Sequence, residues 1–182
     1  QYNMGLDIRA ISGIITKDTN QIAFEFHELM DDPIETFYIN QDFPQHASEF
    51  KVDSSEVQYV KQDDSEEFDF RVGSYSTYNK FRNLLSLAIH GIKVESLWDN
   101  EHKYAGTALW DLLNFSDCEG VIDSIVSTKI LKDLEDNRDK FIEYLKKDTD
   151  IGEMDTEHYA ETYNNFINAF KLGANLGIVI FC

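Results

Sequence analysis

The densest group of polar side chains in the sequence is the run Asn-Phe-Ser-Asp-Cys-Glu-Gly at residues 114–120. Asp117 and Glu119 lie two residues apart in it, and two carboxylates in one turn can bind a divalent cation. A bound cation would activate water for attack on a phosphodiester, which makes Asp117 and Glu119 candidate catalytic residues. Asp7, on a predicted strand, is a candidate third metal ligand if the fold brings it near.

The same run also has a structural interpretation, and the sequence favours it. Ser116 and Glu119 have the spacing of a capping box, in which side chains accept the free N–H groups at the start of a helix. Asp117 near a helix N-terminus would be stabilised by the helix dipole. Cys118 has no evident histidine partner, so we expect it to be a buried and inert thiol.

A second candidate site is the strand end and turn at residues 71–76, Arg-Val-Gly-Ser-Tyr-Ser. Exposed backbone N–H groups at the start of the following helix, with Arg71 beside them, would bind an anion. Arg71 and Ser74 are therefore candidate binding residues. The alternative is an ordinary turn whose serines cap the helix.

No complete catalytic motif accompanies these residues. The sequence lacks a Gly-x-x-x-x-Gly-Lys phosphate loop, a Gly-x-Gly-x-x-Gly turn and a His-Glu-x-x-His zinc motif. His27-Glu28-x-x-Asp31 matches part of the zinc motif, but it lies on or beside a predicted strand. Side chains four residues apart do not converge there as they do on a helix, so we expect no metal at this position.

Hydrophobic periodicity predicts the elements that position these candidates. Alternating or β-branched segments predict strands at residues 6–15, 21–29, 36–39, 57–61, 68–72 and 178–181. Helical spacing predicts helices at residues 78–90, 106–113, 122–147 and 155–173, the first capped by Ser74 or Ser76 and ended by Gly91. This order predicts an α+β fold, with a mostly antiparallel sheet of about five strands packed against three or four helices. Residues 4–182 are expected to form one domain, and residues 1–3 to be a cloning remnant.

The chain is strongly acidic, with 34 acidic and 16 basic residues and a formal net charge of -18. Such a protein is repelled by phosphates, so we expect no direct binding of free nucleic acid and no membrane association. Its expected partners are basic protein surfaces, although an acidic surface can also serve only solubility. Two cysteines, no signal peptide and no apolar run of membrane-spanning length predict a cytoplasmic protein.

The acidic residues between positions 49 and 69 are opposed only by Lys51 and Lys61. They are candidate binding residues: Glu49, Asp53, Glu56, Asp63, Asp64, Glu66, Glu67 and Asp69. On the long predicted helix, pairs at i, i+4 (Asp136 with Lys140, Glu143 with Lys147) are expected to neutralise part of the charge. The segment at residues 49–69 is therefore the preferred contact surface.

Four segments resemble a family of uncharacterised phage and bacterial proteins. They are residues 4–8, 71–79, 114–122 and 175–181, and the Asn-Phe-Ser-Asp-Cys-Glu-Gly run is the most specific of them. The resemblance spans the chain and implies a phage or prophage setting without a settled activity. Members of that family tend to end in Phe-His, whereas this chain reads Phe181-Cys182, so any role of a terminal histidine is in doubt here.

A small acidic phage protein also resembles, in type and setting, the anti-CRISPR proteins that inhibit Cas9. A row of carboxylates can imitate phosphates and occupy a basic channel such as the one that holds the Cas9 heteroduplex. The expected function is a counter-defence protein that binds a nucleic-acid-handling complex of the host, such as Cas9 with its guide RNA, without a cofactor. The alternatives are a hydrolase or nuclease that uses a divalent cation at Asp7, Asp117 and Glu119, or a phage accessory interaction protein.

Overall fold

The structure, a computed structural model, describes residues 4–16, 34–50 and 55–182. These residues form an α+β fold, as predicted, with seven strands in two antiparallel sheets and six helices. In chain order the elements are β1 (Leu6–Ile11), β2 (Ile14–Thr16), β3 (Glu35–Tyr38), a 3-10 turn (Pro44–Ala47), β4 (Glu56–Lys61), β5 (Glu67–Gly73), α1 (Tyr75–His90), α2 (Val94–Asp99), α3 (Glu101–Tyr104), α4 (Trp110–Leu113), β6 (Gly120–Ile122), α5 (Ser124–Lys147), α6 (Glu153–Ala174) and β7 (Ile178–Phe181). The predicted strand at residues 21–29 and the partial zinc motif lie outside the described residues.

The larger sheet has the order β5-β1-β7-β6, and the smaller has the order β2-β4-β3. The chain passes from one sheet to the other at Ser12-Gly13, where the sequence predicts an interruption of the first strand. Gly13 has φ of 58°, a left-handed conformation that glycine adopts without a steric penalty. The single strand predicted at residues 6–15 is therefore two strands, β1 in the larger sheet and β2 in the smaller one.

The main core lies between the larger sheet and the helices α1, α5 and α6. Ile8 and Ala10 of β1 are buried on this side, while Asp7 and Arg9 alternate onto the other. Aromatic rings fill the space, with the centroid of Phe166 5.6 Å from that of Phe81 and 6.3 Å from that of Phe181. The period of two in β1 thus separates a helix-facing apolar side from a charged side.

A second apolar cluster lies between the two sheets. Ile11, Val121 and Ile178 of the larger sheet are buried there together with Phe37 and Tyr59 of the smaller one. The molecule therefore has three layers, which are the helices, the four-stranded sheet and the three-stranded sheet. The smaller sheet covers only part of the second face of the larger sheet. Asp7 and Arg9 on that face therefore stay partly exposed.

Local capping explains where α1 begins and ends. Ser74 Oγ accepts a hydrogen bond from the N–H group of Thr77 at 3.1 Å, and Gly91 ends the helix with φ of 72°. Both features were predicted, and both depend on residues within one turn of the helix end.

The predicted capping box at Ser116 and Glu119 is wrong as a helix start. Ser116 Oγ does accept the N–H groups of Cys118 and Glu119, both at 3.2 Å, but these residues form a turn that leads into β6. The N-cap of α5 is Asp123, whose carboxylate accepts the N–H group of Val126 at 2.9 Å. Cys118 is exposed rather than buried.

On α5, Lys147 lies 2.6 Å from Glu143, as predicted for an i, i+4 pair. Asp136 pairs with Lys132 instead of Lys140, and the Lys140 ammonium donates to the carbonyl of Ile89 at 3.3 Å. None of the helices in the described parts of the chain is long and apolar enough to cross a membrane.

Candidate functional site

A cavity of about 460 Å³ opens between α1, α2 and the polar turn, the name used here for residues 114–120. Its walls come from Asn79 and Arg82 of α1, from Val94, Glu95 and Trp98 of α2, from Phe43, and from residues 114–117. Small-molecule sites in proteins typically have volumes of roughly 300–1,000 Å³. The polar run that stands out in the sequence therefore lines a concave site of ligand size, which we call the Arg82 cavity.

Arg82 is the buried charge of this cavity, with only 5% of its surface exposed. Its guanidinium carbon lies 4.9 Å from the ring centroids of Tyr78 and of Trp98, so two aromatic rings contact it. Nη1 donates to the carbonyls of Phe115 at 2.9 Å and of Leu113 at 3.4 Å. The side chain therefore holds the first residues of the polar turn against α1.

The other terminal nitrogen of Arg82 is directed at polar side chains. Nη2 donates to Asn79 Oδ1 and lies 3.6 Å from Asp117 Oδ2. Asn79 in turn donates to the same Asp117 oxygen at 3.4 Å. Asp117 therefore offsets the charge of Arg82 through one oxygen, while its Oδ1 has no hydrogen-bond partner among the described residues.

The aromatic walls of the cavity are held in place by contacts outside it. Trp98 Nε1 donates to the carbonyl of Leu113 at 3.0 Å, which fixes the orientation of the indole. The ring of Phe43 packs against Phe115, with centroids 5.4 Å apart, and Phe115 packs edge-on against Phe181 at 4.9 Å. The walls are therefore parts of the core, and their positions do not depend on a ligand.

Two further polar groups of the cavity have no partner in the described part of the chain. The half-buried Asn114 makes no side-chain hydrogen bond, and the exposed Glu95 makes no ion pair or hydrogen bond. Among the described residues, the charged side chains that line the cavity are Arg82, Asp117 and Glu95, and together they carry one net negative charge.

Sequence reasoning missed Arg82, Asn79 and Trp98. A signal for Arg82 was present, because Tyr78, Arg82, Leu85 and Ile89 follow one another at helical spacing along the apolar face of α1. A cation within such a stripe is expected to be buried and to need nearby acceptors. Nothing local to Trp98 indicates its contact with Arg82.

The three predicted metal ligands are not brought together. Asp7 is on β1, where Arg71 Nη1 donates to its two oxygens at 3.0 and 2.8 Å. Asp117 lines the Arg82 cavity, and Glu119 lines a different cavity of about 350 Å³. Within residues 4–16, 34–50 and 55–182, no group of three or more His, Cys, Asp and Glu side chains is arranged to hold a metal ion. The reason is topological, since β7 lies between β1 and the strand that follows the polar turn.

Arg71 and Ser74, the predicted anion-binding residues, both contact other residues of the fold. Arg71 forms an ion pair with Asp7, and Ser74 caps α1. Ser74 therefore acts as the capping interpretation of the turn expects, and anion binding at Arg71 and Ser74 stays a prediction.

The acidic residues of the preferred contact surface fall into two groups. Glu49 accepts a hydrogen bond from Ser124, and Glu67 lies 3.0 Å from Arg9 and 2.9 Å from Lys61. The exposed carboxylates without an ion pair in the described chain are Asp63, Asp64, Glu66 and Asp69. Glu56 is exposed on β4 but is not without a partner, so it does not belong to this group. Asp53 lies outside the described residues.

Glu67 belongs to what we call the inter-sheet ion cluster, formed by Arg9, Glu35, Tyr59, Lys61 and Glu67. Glu35 lies 3.2 Å from both Arg9 and Lys61 and accepts the hydroxyl of Tyr59. That hydrogen bond, with the two cations, holds the pKa of Glu35 below its ordinary value. Hydrogen bonds from Lys61 and Arg9 lower the pKa of Glu67 in the same way. The cluster ties β1 and β5 of one sheet to β3 and β4 of the other.

A comparison of the chain with protein-family models, with curated proteins and with solved structures finds no match. The interpretation of the Arg82 cavity therefore depends on its own geometry.

Proposed function

We propose that the protein is a binding protein and that the Arg82 cavity is its ligand site. The observation that carries this proposal is hydrogen-bonding capacity left unused inside a cavity of ligand size. Asp117 Oδ1, the Asn114 amide and the Glu95 carboxylate all line it without a partner in the described chain. These groups are not fully buried, so water can bind them in the free protein, and a ligand with matching polar groups would replace that water.

The rigidity of the cavity supports the same proposal. Arg82 and Trp98 both donate to the carbonyl of Leu113, and Arg82 also holds the carbonyl of Phe115. These bonds set the shape of the polar turn before any ligand arrives. A preformed site loses less conformational entropy on binding, which favours affinity.

A fragment screen by NMR tests the proposal. Binders are expected to shift the indole N–H resonance of Trp98, and Asn114→Ala should weaken them by about fivefold or more, the equivalent of roughly 1 kcal/mol for a lost hydrogen bond. Asn175→Ala is the matched control, since Asn175 is exposed and does not line the cavity. Binders that leave the Trp98 resonance unmoved, or that tolerate Asn114→Ala, would contradict the proposal.

A second candidate function is the counter-defence role expected from the sequence, in which the protein binds a basic surface of a complex such as Cas9 with its guide RNA. It is favoured by the carboxylates of Asp63, Asp64 and Glu66 in the turn between β4 and β5, which are exposed and form no ion pair with any described residue, on a chain of net charge -18. Such a group can compete with phosphates for a basic channel.

Co-elution with Cas9–guide complexes tests this second function. The triple variant Asp63→Asn, Asp64→Asn and Glu66→Gln should lose association at moderate salt. A control that neutralises the same number of exposed acids on α6, at Glu153, Asp155 and Glu157, should keep it. Equal losses in both variants would indicate attraction by total charge and would argue against a defined contact surface.

A further inference from the structure

The charge of the Arg82 cavity selects the kind of ligand that it can take. Asp117 offsets Arg82, and the carboxylate of Glu95 then leaves one net negative charge on the lining. The field of a protein with net charge -18 acts in the same direction. A cation is therefore favoured, and a phosphate or carboxylate is disfavoured.

The hydrogen-bonding groups of the cavity make the same selection. The terminal nitrogens of Arg82 are already directed at Leu113, Phe115, Asn79 and Asp117. Its Nε has no hydrogen-bond partner among the described residues, but it is buried and has almost no accessible surface for a ligand. The unused groups are mainly acceptors, which are Asp117 Oδ1, the Glu95 carboxylate and the carbonyl oxygen of Asn114. The ligand should therefore be a donor at several positions.

The walls distinguish between the two common cationic groups. Phe43 and Trp98, which are partly exposed, present aromatic surface to the cavity, and the buried Phe115 and Val94 lie behind them. A guanidinium is planar, weakly hydrated and able to stack on aromatic rings, and it carries five N–H donors and no acceptor. An ammonium is compact and strongly hydrated, so it would lose more solvation on entering the same space.

We propose that the Arg82 cavity binds a guanidinium group, presented as an arginine side chain by a protein partner. This inference depends on the proposed binding function and adds the class of ligand to it. Aromatic walls, unused acceptors and a net negative charge meet at one cavity, and an arginine side chain matches all three. Its methylene stem would cover the apolar wall while its head reaches Asp117 and Glu95.

A titration followed by NMR tests this inference with three probes that differ only in the head group. N-acetyl-arginine amide should shift the Trp98 indole resonance and bind about tenfold more tightly than N-acetyl-lysine amide. The neutral analogue N-acetyl-citrulline amide should bind about tenfold more weakly than the arginine probe, since it lacks the charge. Citrulline binding as well as arginine would overturn the inference.

Two variants locate the interaction. Asp117→Asn and Glu95→Gln should each weaken the arginine probe by about three- to tenfold, while Asp63→Asn, which does not line the cavity, should have no effect. Glu95 is exposed and makes no ion pair or side-chain hydrogen bond in the part of the chain that the structure describes, so Glu95→Gln stays informative even if Asp117→Asn is poorly folded. No change in either variant would overturn the inference.

A third arm separates a partner's arginine from a free guanidinium compound. A glycine-flanked peptide with one arginine should bind at least as tightly as the amide probe, and binding of the amide alone would overturn the protein source. If uncharged fragments bind at Trp98 and the arginine probe does not, the guanidinium inference fails and the proposed binding function stands. If no probe of any kind binds, both fail.

Discussion

The Arg82 cavity and the inter-sheet ion cluster both combine an arginine, two carboxylates and a buried tyrosine, and they use them differently. In the cluster, Glu35 and Glu67 each lie within 3.2 Å of both Arg9 and Lys61, so two cations face two anions. In the cavity, Arg82 has one carboxylate at 3.6 Å and gives its closer bonds to a side-chain amide and to backbone carbonyls.

This difference indicates what each region is for. The carboxylates of the cluster are paired with cations of the same fold, and these contacts add to the apolar packing between the two sheets. The carboxylates of the cavity are only partly used, since Asp117 Oδ1 and Glu95 have no partner in the described chain. Unused capacity in a concave, aromatic-walled space distinguishes a candidate ligand site from a structural ion network more clearly than charge does.

The largest expected effect is the loss of protein stability when Arg82, the buried cation of the cavity, is replaced. Arg82→Met should lower the free energy of unfolding by about 3–5 kcal/mol, because the carbonyls of Leu113 and Phe115 lose their donor and Asp117 its counter-ion. Urea denaturation measures the change. Arg9→Met in the cluster is the comparison, and it should cost about 1 kcal/mol or less because the Arg9 side chain is 36% exposed. Equal losses would mean that burial does not separate the two arginines.

A smaller effect is expected when Glu35 of the cluster is replaced, and its size should depend on pH. The folded pKa of Glu35 lies below its unfolded value, so its stabilising contribution is present above the unfolded pKa and is lost as the pH falls through the folded one. Glu35→Gln should therefore lower the free energy of unfolding at neutral pH by about 1 kcal/mol or less, since the side chain is partly exposed. The difference from the parent protein should shrink below about pH 4.3, the ordinary pKa of glutamate.

Denaturation at a series of pH values measures this difference. Tyr59→Phe removes the hydrogen bond that does most to lower the pKa of Glu35, so it should give a change of the same sign. Glu95→Gln in the cavity is the control and should leave the free energy of unfolding at neutral pH nearly unchanged, because Glu95 makes no ion pair or side-chain hydrogen bond within the described residues. A Glu95 variant that behaves like the Glu35 variant would remove the distinction between paired and unpaired carboxylates.

The helices and strands differ in how well the sequence predicts them. The limits of α1 and β7 follow from local signals, which are the cap at Ser74, the stop at Gly91 and the alternation of residues 178–181. By contrast, α2 and α3 have six and four residues, too few for a helical period to show, and neither was predicted. The α+β class was predictable because the order of strands and helices is a property of the whole chain.

The site itself was only half predictable. The polar turn stands out by composition, but its Ser116 and Glu119 pattern satisfies a turn as well as a helix start. Arg82 is held in the cavity by hydrogen bonds to the carbonyls of Leu113 and Phe115, which lie 31 and 33 residues further along the chain. Contacts over that separation depend on the packing of α1 against α2 and the turn, and no local pattern encodes them.

The smallest expected effect concerns the carboxylate that the sequence singled out first. Asp117→Asn should change the free energy of unfolding by about 0.5 kcal/mol or less, because its side chain is 38% exposed and its contact with Arg82 is long. The same variant is expected to weaken binding of the arginine probe. Replacing Asp117 should therefore affect binding while leaving stability almost unchanged. A loss of stability above about 2 kcal/mol, measured by urea denaturation, would instead mean that Asp117 is required to keep Arg82 buried. In that case Asp117 would belong with Glu35 and Glu67 as a structural partner of an arginine, and Glu95 and Asn114 would be the remaining ligand-facing groups of the cavity.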